Sequence, residues 1–178
     1  MKQVCAASIE VGLPADAVFA FVADLARWPV WLSFVVCAQQ HGEPQPRALA
    51  AGQEIDVCVQ RGKRRSCEQF EVANFVTGAF VCLEGSLSAS RRIEFRLEQR
   101  RKDTRVHARV GYPVFGGALG WLRDGLFTRR ALLKQLRRSL AELKSALEDG
   151  ERVTDLAGRR ASRGEEAASG SAKQTATA

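Results

Sequence analysis

The chain is poor in the residues from which active sites are most often built. It has two histidines, His41 and His107, a single tyrosine, Tyr112, and a single methionine. Its five cysteines, at 5, 37, 58, 67 and 82, form no C-x-x-C pair, and with two histidines no zinc-ligand spacing can be written. The G-x-S-x-G elbow, the H-E-x-x-H helix and the Walker loop are all missing. "FGGALG" (115–120) misses the G-x-G-x-x-G spacing and belongs to no strand–helix–strand unit. No metal and no cofactor is therefore expected. Long apolar runs are missing too: none approaches the ~18–20 residues of a membrane helix. Glu10 and Asp16 stand where a secretory signal needs an apolar middle. These absences predict a cytoplasmic protein. An odd number of cysteines without paired spacing predicts free thiols, as in a reducing compartment.

What the chain has in plenty is positive charge. The net charge is +7, and all but one unit of it falls within residues 1–150. The basic residues gather in "RGKRR" (61–65), "RRIEFRLEQRRK" (91–102) and "RRALLKQLRR" (129–138). In the second of these they alternate with Ile93, Phe95 and Leu97, which describes the wet face of an antiparallel strand. No RNP-type aromatic pair, zinc finger or helix-turn-helix signature accompanies them, so no specific nucleic-acid partner is expected. A weak attraction to acidic lipid surfaces remains open.

Periodicity divides the chain. Cys5, Ala7, Ile9 and Val11 alternate with polar or small residues, a half-buried strand. The period then changes: "PADAVFAFVADLARW" has Pro14 at a helix start, Asp16 behind it, and Val18, Phe21, Val22 and Leu25 on one helical face. Pro29 forbids a simple continuation, so Trp28 and Trp31 should sit in a bend or a second short helix. Six further strands are expected near 33–40, 53–61, 65–74, 79–85, 90–100 and 104–112, with turn signals between them. One parity is apolar throughout, and the other carries Arg105, His107 and Arg109, which makes His107 a surface histidine rather than a general base. From about Ala118 to Glu148 leucines recur at spacings of three and four, predicting a long helix that covers the sheet. Residues 1–149 should form one domain. Beyond them, to 178, small and charged residues predict a disordered tail.

This order of elements resembles the helix-grip fold, an α+β architecture in which a curved seven-stranded antiparallel sheet wraps a long carboxy-terminal helix, with two short helices after the first strand. The residues carry the likeness further. "ASIEVGLPADAVFAFVADLARWPVWLSFV", with its P-A-x-x-V-F, Asp and W-P-x-W elements, resembles the opening of the SRPBCC superfamily, which includes the START and birch-pollen-allergen proteins. "FEV" (70–72) and "RRALLKQLRRSLAELKSALE" are similar to its polyketide cyclase/dehydrase and lipid-transport branch. The resemblance spans about residues 3–149. "RRKDTRVHARV" departs from it by lacking a glycine-rich turn between the last two strands.

The resemblance implies an apolar cavity between sheet and helix, with Trp31 and Phe34 on its wall and Trp28 packed beneath. The inward parity adds Val57, Phe70, Val72, Phe95, Leu97, Val110 and Tyr112, and the helix adds Trp121 and Leu122. Gly117, Gly120 and Gly125 weaken the start of that helix and suggest an entry gate. Almost all of these inward side chains are hydrocarbon, so the expected function is binding of a small hydrophobic molecule: a lipid, an isoprenoid or a polyketide-like compound. One alternative is a polyketide cyclase or dehydratase in the same cavity, for which Tyr112 is the catalytic candidate. Another is an interaction module with a self-filled cavity and a basic docking face. Binding without catalysis is the preferred reading.

Overall fold

A computed structural model describes residues 2–42, 48–61, 64–86, 91–113 and 128–150. Strand β1 (Lys2–Val11) leads to α1 (Ala15–Ala23), which begins behind Pro14 and has Asp16 in its first turn. The Asp24 carboxylate then accepts the Ala26 N–H at 3.0 Å and starts a 3-10 turn over Leu25–Arg27. Helix α2 (Trp28–Trp31) follows directly, with Pro29 in its first turn, where a missing N–H does no harm. Of the two possibilities that the proline allowed, the chain takes the second short helix.

Six strands follow: β2 (Val35–Gln40), β3 (Glu54–Arg61), β4 (Arg64–Val76), β5 (Phe80–Gly85), β6 (Arg92–Arg100) and β7 (Asp103–Pro113). They form one antiparallel sheet in the order β1-β7-β6-β5-β4-β3-β2, a meander closed by the return of β7 to β1. The expected parity holds, and an irregularity between Val72 and Asn74 resets it. That reset turns Phe75 inward, edge-on to Phe19 of α1 at 5.3 Å. The turn that lacks a glycine is managed by Arg101, which takes φ 53° in the left-handed region. Gln99 supports it by donating from Nε2 to the carbonyls of Arg101 and Asp103.

The final helix, α3 (129–150), lies along β1 and runs in the same direction. Its beginning is marked by Arg129, whose carbonyl accepts the Cys5 thiol at 3.7 Å, and its end by Glu148, which accepts the Gly12 N–H at 3.3 Å. Between them Lys144 donates to the Glu10 carbonyl at 3.0 Å. Leu136, Leu140, Leu143 and Leu147 are buried against the sheet, so the leucine stripe is an intramolecular cover. The helix-grip architecture is thus in place. The earlier leucines of the stripe, at 119, 122 and 126, and the tail from 151 lie outside the described residues. Among the described residues no helix is long and apolar enough to cross a membrane.

One expectation fails. Cys58 and Cys67 are joined in a disulfide, and Cys5, Cys37 and Cys82 are free. The spacing hides the bond, because its ends are nine positions apart in the sequence. The β3–β4 register, which pairs Cys58 directly with Cys67, is what brings them together. The same fold grades the free thiols. Cys5 and Cys82 are buried and Cys37 is half-buried. Burial pushes the Cys82 thiol above its ordinary range, although the Arg92 guanidinium beside it pulls the other way. Above the ordinary thiol range the unfolded chain therefore ionises first, and this group's contribution to stability falls as pH rises. Alkylation of the native protein should label Cys37 first and leave Cys82 unlabelled until denaturation, with two further sites after reduction. Five sites in the denatured, unreduced protein would contradict the disulfide.

Candidate functional site

The inner face of the sheet is built by cross-strand rows. Val110, Ile93, Leu83 and Val72 form one row, and Ala108, Phe95, Val81 and Phe75 the next. Val57, Phe70, Val72, Phe95 and Leu97 are buried on this face, Tyr112 is buried at its end, and Val110 is half-buried. Phe34, just before β2, is half-buried against the same core. Trp121, Leu122 and the glycines at 117, 120 and 125 lie outside the described residues. Two alanines, Ala7 and Ala108, face each other across β1 and β7 in the middle of this surface, so the sheet is thinnest in side chain there.

The two tryptophans of "WPVW" have separate roles. The last four carbonyls of a helix have no partner within it. At the end of α1 the Val22 carbonyl accepts the Trp28 indole N–H at 2.9 Å, and the Ala23 carbonyl accepts the Leu49 N–H at 2.8 Å. Trp28 is therefore a cap as well as a core side chain, with 1% of its surface exposed. Trp31 is buried completely and meets Phe95 edge-on, with ring centroids 5.4 Å apart. Its Nε1–H has no partner among the described residues. A buried donor left unmade costs about 1–3 kcal/mol. Ser139 Oγ, on α3, is the second polar atom in this condition among the described residues of the core.

A charged pair also belongs to the inner face, and the inward series read from the sequence omitted it. Glu68 stands opposite Val57 and two residues before Phe70, on the apolar parity, and its carboxylate accepts from Arg91 Nη1 at 2.6 Å. The signal was available: the period-two series of β4 continues backward from Val72 through Phe70 to Glu68. The expectation that almost all inward side chains are hydrocarbon is corrected to that extent. Both members of the pair are partly exposed, which places them at an edge of the face rather than at its centre.

The outer face is wet and ionic. Its shallow groove of about 350 Å³ is lined by residues that include Ser8, Phe80, Arg96, His107 and Arg109. The charges there are largely matched: His107 Nε2 lies 3.5 Å from Glu98, Arg109 lies 3.6 Å from Glu94, and the Arg96 guanidinium sits over the Phe80 ring. A carboxylate oxygen of Glu94 also accepts from Arg92 Nε and holds that guanidinium more firmly in its charged form. Among the described residues no three metal-ligating side chains cluster.

A family model described as polyketide cyclase / dehydrase and lipid transport matches residues 2–148. No curated protein matches. Several solved structures share the fold. A START superfamily protein from Mycobacterium smegmatis aligns with TM-score 0.62 at 11% identity, over 82% of this chain and 97% of its own. The protein Ara h 8.0201 aligns with TM-score 0.61 at 10% identity, over 84% and 99%. The di-domain ARO/CYC protein BexL, from the BE-7585A biosynthetic pathway, aligns with TM-score 0.64 at 20% identity, over 82% of this chain and 46% of its own.

Proposed function

This chain belongs to the polyketide cyclase / dehydrase and lipid transport family, and on that premise we propose that it binds a small hydrophobic molecule between the inner face of its sheet and α3. The observation that carries the reading is the make-up of that face. Among the described residues, seven strands and a helix present to it a surface of aliphatic and aromatic side chains, with the Glu68–Arg91 pair at an edge and Thr104 and Ser139 as the fully buried polar side chains. Such a surface gains about 25 cal/mol for each Å² of ligand taken from water, and it selects for apolar bulk. Trp31, Phe95 and Leu97 are the aromatic and aliphatic contacts we assign to the ligand, with Val57, Phe70, Val72, Val110 and Tyr112 around them.

The competing idea of a docking face for acidic partners makes a different demand. Binding there would be ionic and would collapse in salt, since the screening length falls to about 3 Å at 1 M. A titration with the uncharged fluorophore 1-aminoanthracene separates the two. We expect saturable binding, one probe per chain, with affinity changed less than about twofold between roughly 0.05 and 1 M sodium chloride. Failure of that probe and of other apolar dyes to bind would remove the proposal.

A second reading is favoured by the Glu68–Arg91 pair. A guanidinium at the edge of an apolar face can polarise a carbonyl oxygen, the group on which aldol cyclisation and dehydration of polyketide-like chains turn. In that reading Arg91 is the electrophilic residue, Glu68 fixes its orientation, and Tyr112 is a further donor. Replacement of Arg91 by glutamine would then abolish turnover and leave ligand affinity nearly intact.

A further inference from the structure

The proposal that the inner face holds a hydrophobic ligand leaves one atom unexplained, the Nε1–H of Trp31. We infer that this ligand carries a neutral carbonyl oxygen within its apolar frame, and that Trp31 Nε1–H donates to it.

The inference begins with the contrast between two indoles in one short helix. Trp28 gives its N–H to the chain's own backbone, at Val22. Trp31, three residues on and equally enclosed, gives its N–H to nothing among the described residues. An indole nitrogen donates and cannot accept, so the missing partner is an acceptor. The ring is held from its side by Phe95, whose own cross-strand neighbours are Val81 and Ala108. Packing rather than hydrogen bonding therefore orients it. Beside Phe95 the side chains of the sheet are smallest, at Ala108 and Ala7.

An ordered water is a poor candidate for the acceptor. A buried water needs two to four polar partners. The fully buried polar side chains of the described core are Thr104 and Ser139, and the Thr104 hydroxyl already donates to the Leu13 carbonyl at 2.6 Å. The backbone of the central strands is committed to its own ladder. Of the two side chains, Ser139 is the one whose hydroxyl is itself unpartnered. The chemistry of the acceptor is equally constrained. Among the described residues no charged side chain is fully buried, so none of them neutralises a carboxylate at this depth. A ketone- or quinone-type oxygen takes the indole proton without bringing a charge.

The test uses the full chain and a matched pair of probes, 9-fluorenone and its hydrocarbon counterpart fluorene. In ¹H–¹⁵N spectra fluorenone should move the Trp31 indole peak, identified by its loss in Trp31→Phe, and leave the Trp28 indole peak in place. Fluorene should bind without that signature. Trp31→Phe should lower the affinity for fluorenone relative to fluorene by about five- to tenfold, the value of one hydrogen bond. Binding of fluorenone with no change at the Trp31 indole, or an unaltered affinity ratio in Trp31→Phe, would overturn this inference and leave hydrophobic binding intact. Binding of neither compound would overturn hydrophobic binding, and the inference with it. If Trp31→Phe does not fold, sequential assignment of the three indole peaks in the wild-type protein takes its place, and the wild-type spectra then decide the matter.

Discussion

Replacing Trp28 by alanine lowers the unfolding free energy by about 3–5 kcal/mol, the range for emptying a large aromatic site, whereas Trp31→Phe changes it by less than about 1.5 kcal/mol, because the smaller void is offset by removal of an unpaired buried donor. The asymmetry follows from what each indole does. Trp28 fills the corner between α1 and the sheet and closes the end of α1 through Val22. Its loss leaves a void and a carbonyl without its donor. Trp31 keeps its ring contact with Phe95 when it becomes phenylalanine, and the change removes a donor that had no partner. Urea denaturation of the two variants checks the prediction. Equal losses would mean that Trp31 is as much a structural anchor as Trp28, and its assignment to a ligand would weaken.

The second large effect lies on α3. Leu143→Ala should lower stability by about 2–5 kcal/mol, because Leu143 is completely enclosed between the helix and the sheet. A helix of this length gains little from its own hydrogen bonds in water and depends on the packing of one face. The hydrogen bonds that hold α3 along β1, at Arg129, Lys144 and Glu148, fix its register but sit near the surface, so they contribute far less than the leucines. Ala141, on the exposed side of the same helix, serves as the control: a change there to serine should stay within about 0.5 kcal/mol. Thermal or urea melts of both variants measure the difference. A small loss for Leu143→Ala would mean that the sheet's inner face is covered by something other than this helix.

How much of this was legible in the sequence depended on whether a local rule decided it. The strands were legible because period two is a local property, and one face of this sheet is hydrocarbon while the other is ionic. The stripe at Leu136, Leu140, Leu143 and Leu147 was legible for the same reason. The disulfide was not, since pairing of Cys58 with Cys67 depends on the register of a hairpin and no cysteine spacing announces it. Cys82 inverts the parity rule. It shares the outward side with Glu94, yet it is buried, because long charged side chains such as Arg92 lie over that side of the sheet. Glu68 was legible and overlooked, its charge standing out less than the aromatic two places on. The role of Trp28 needed the structure, because only the return of the chain after α1 shows which carbonyl its indole meets. The resemblance in "WPVW" already separated a wall residue, Trp31, from a packed one, Trp28, but could not show that the packed indole caps α1.

The central claim, that the inner face holds a small hydrophobic molecule, is tested most directly by native mass spectrometry of the purified protein beside a denatured sample. The account predicts a native mass above that of the bare chain, one equivalent of a neutral, carbonyl-bearing apolar compound released on denaturation, and its return to the emptied protein on addition. A native mass equal to the bare chain, in a protein that also takes up no apolar probe, would contradict it.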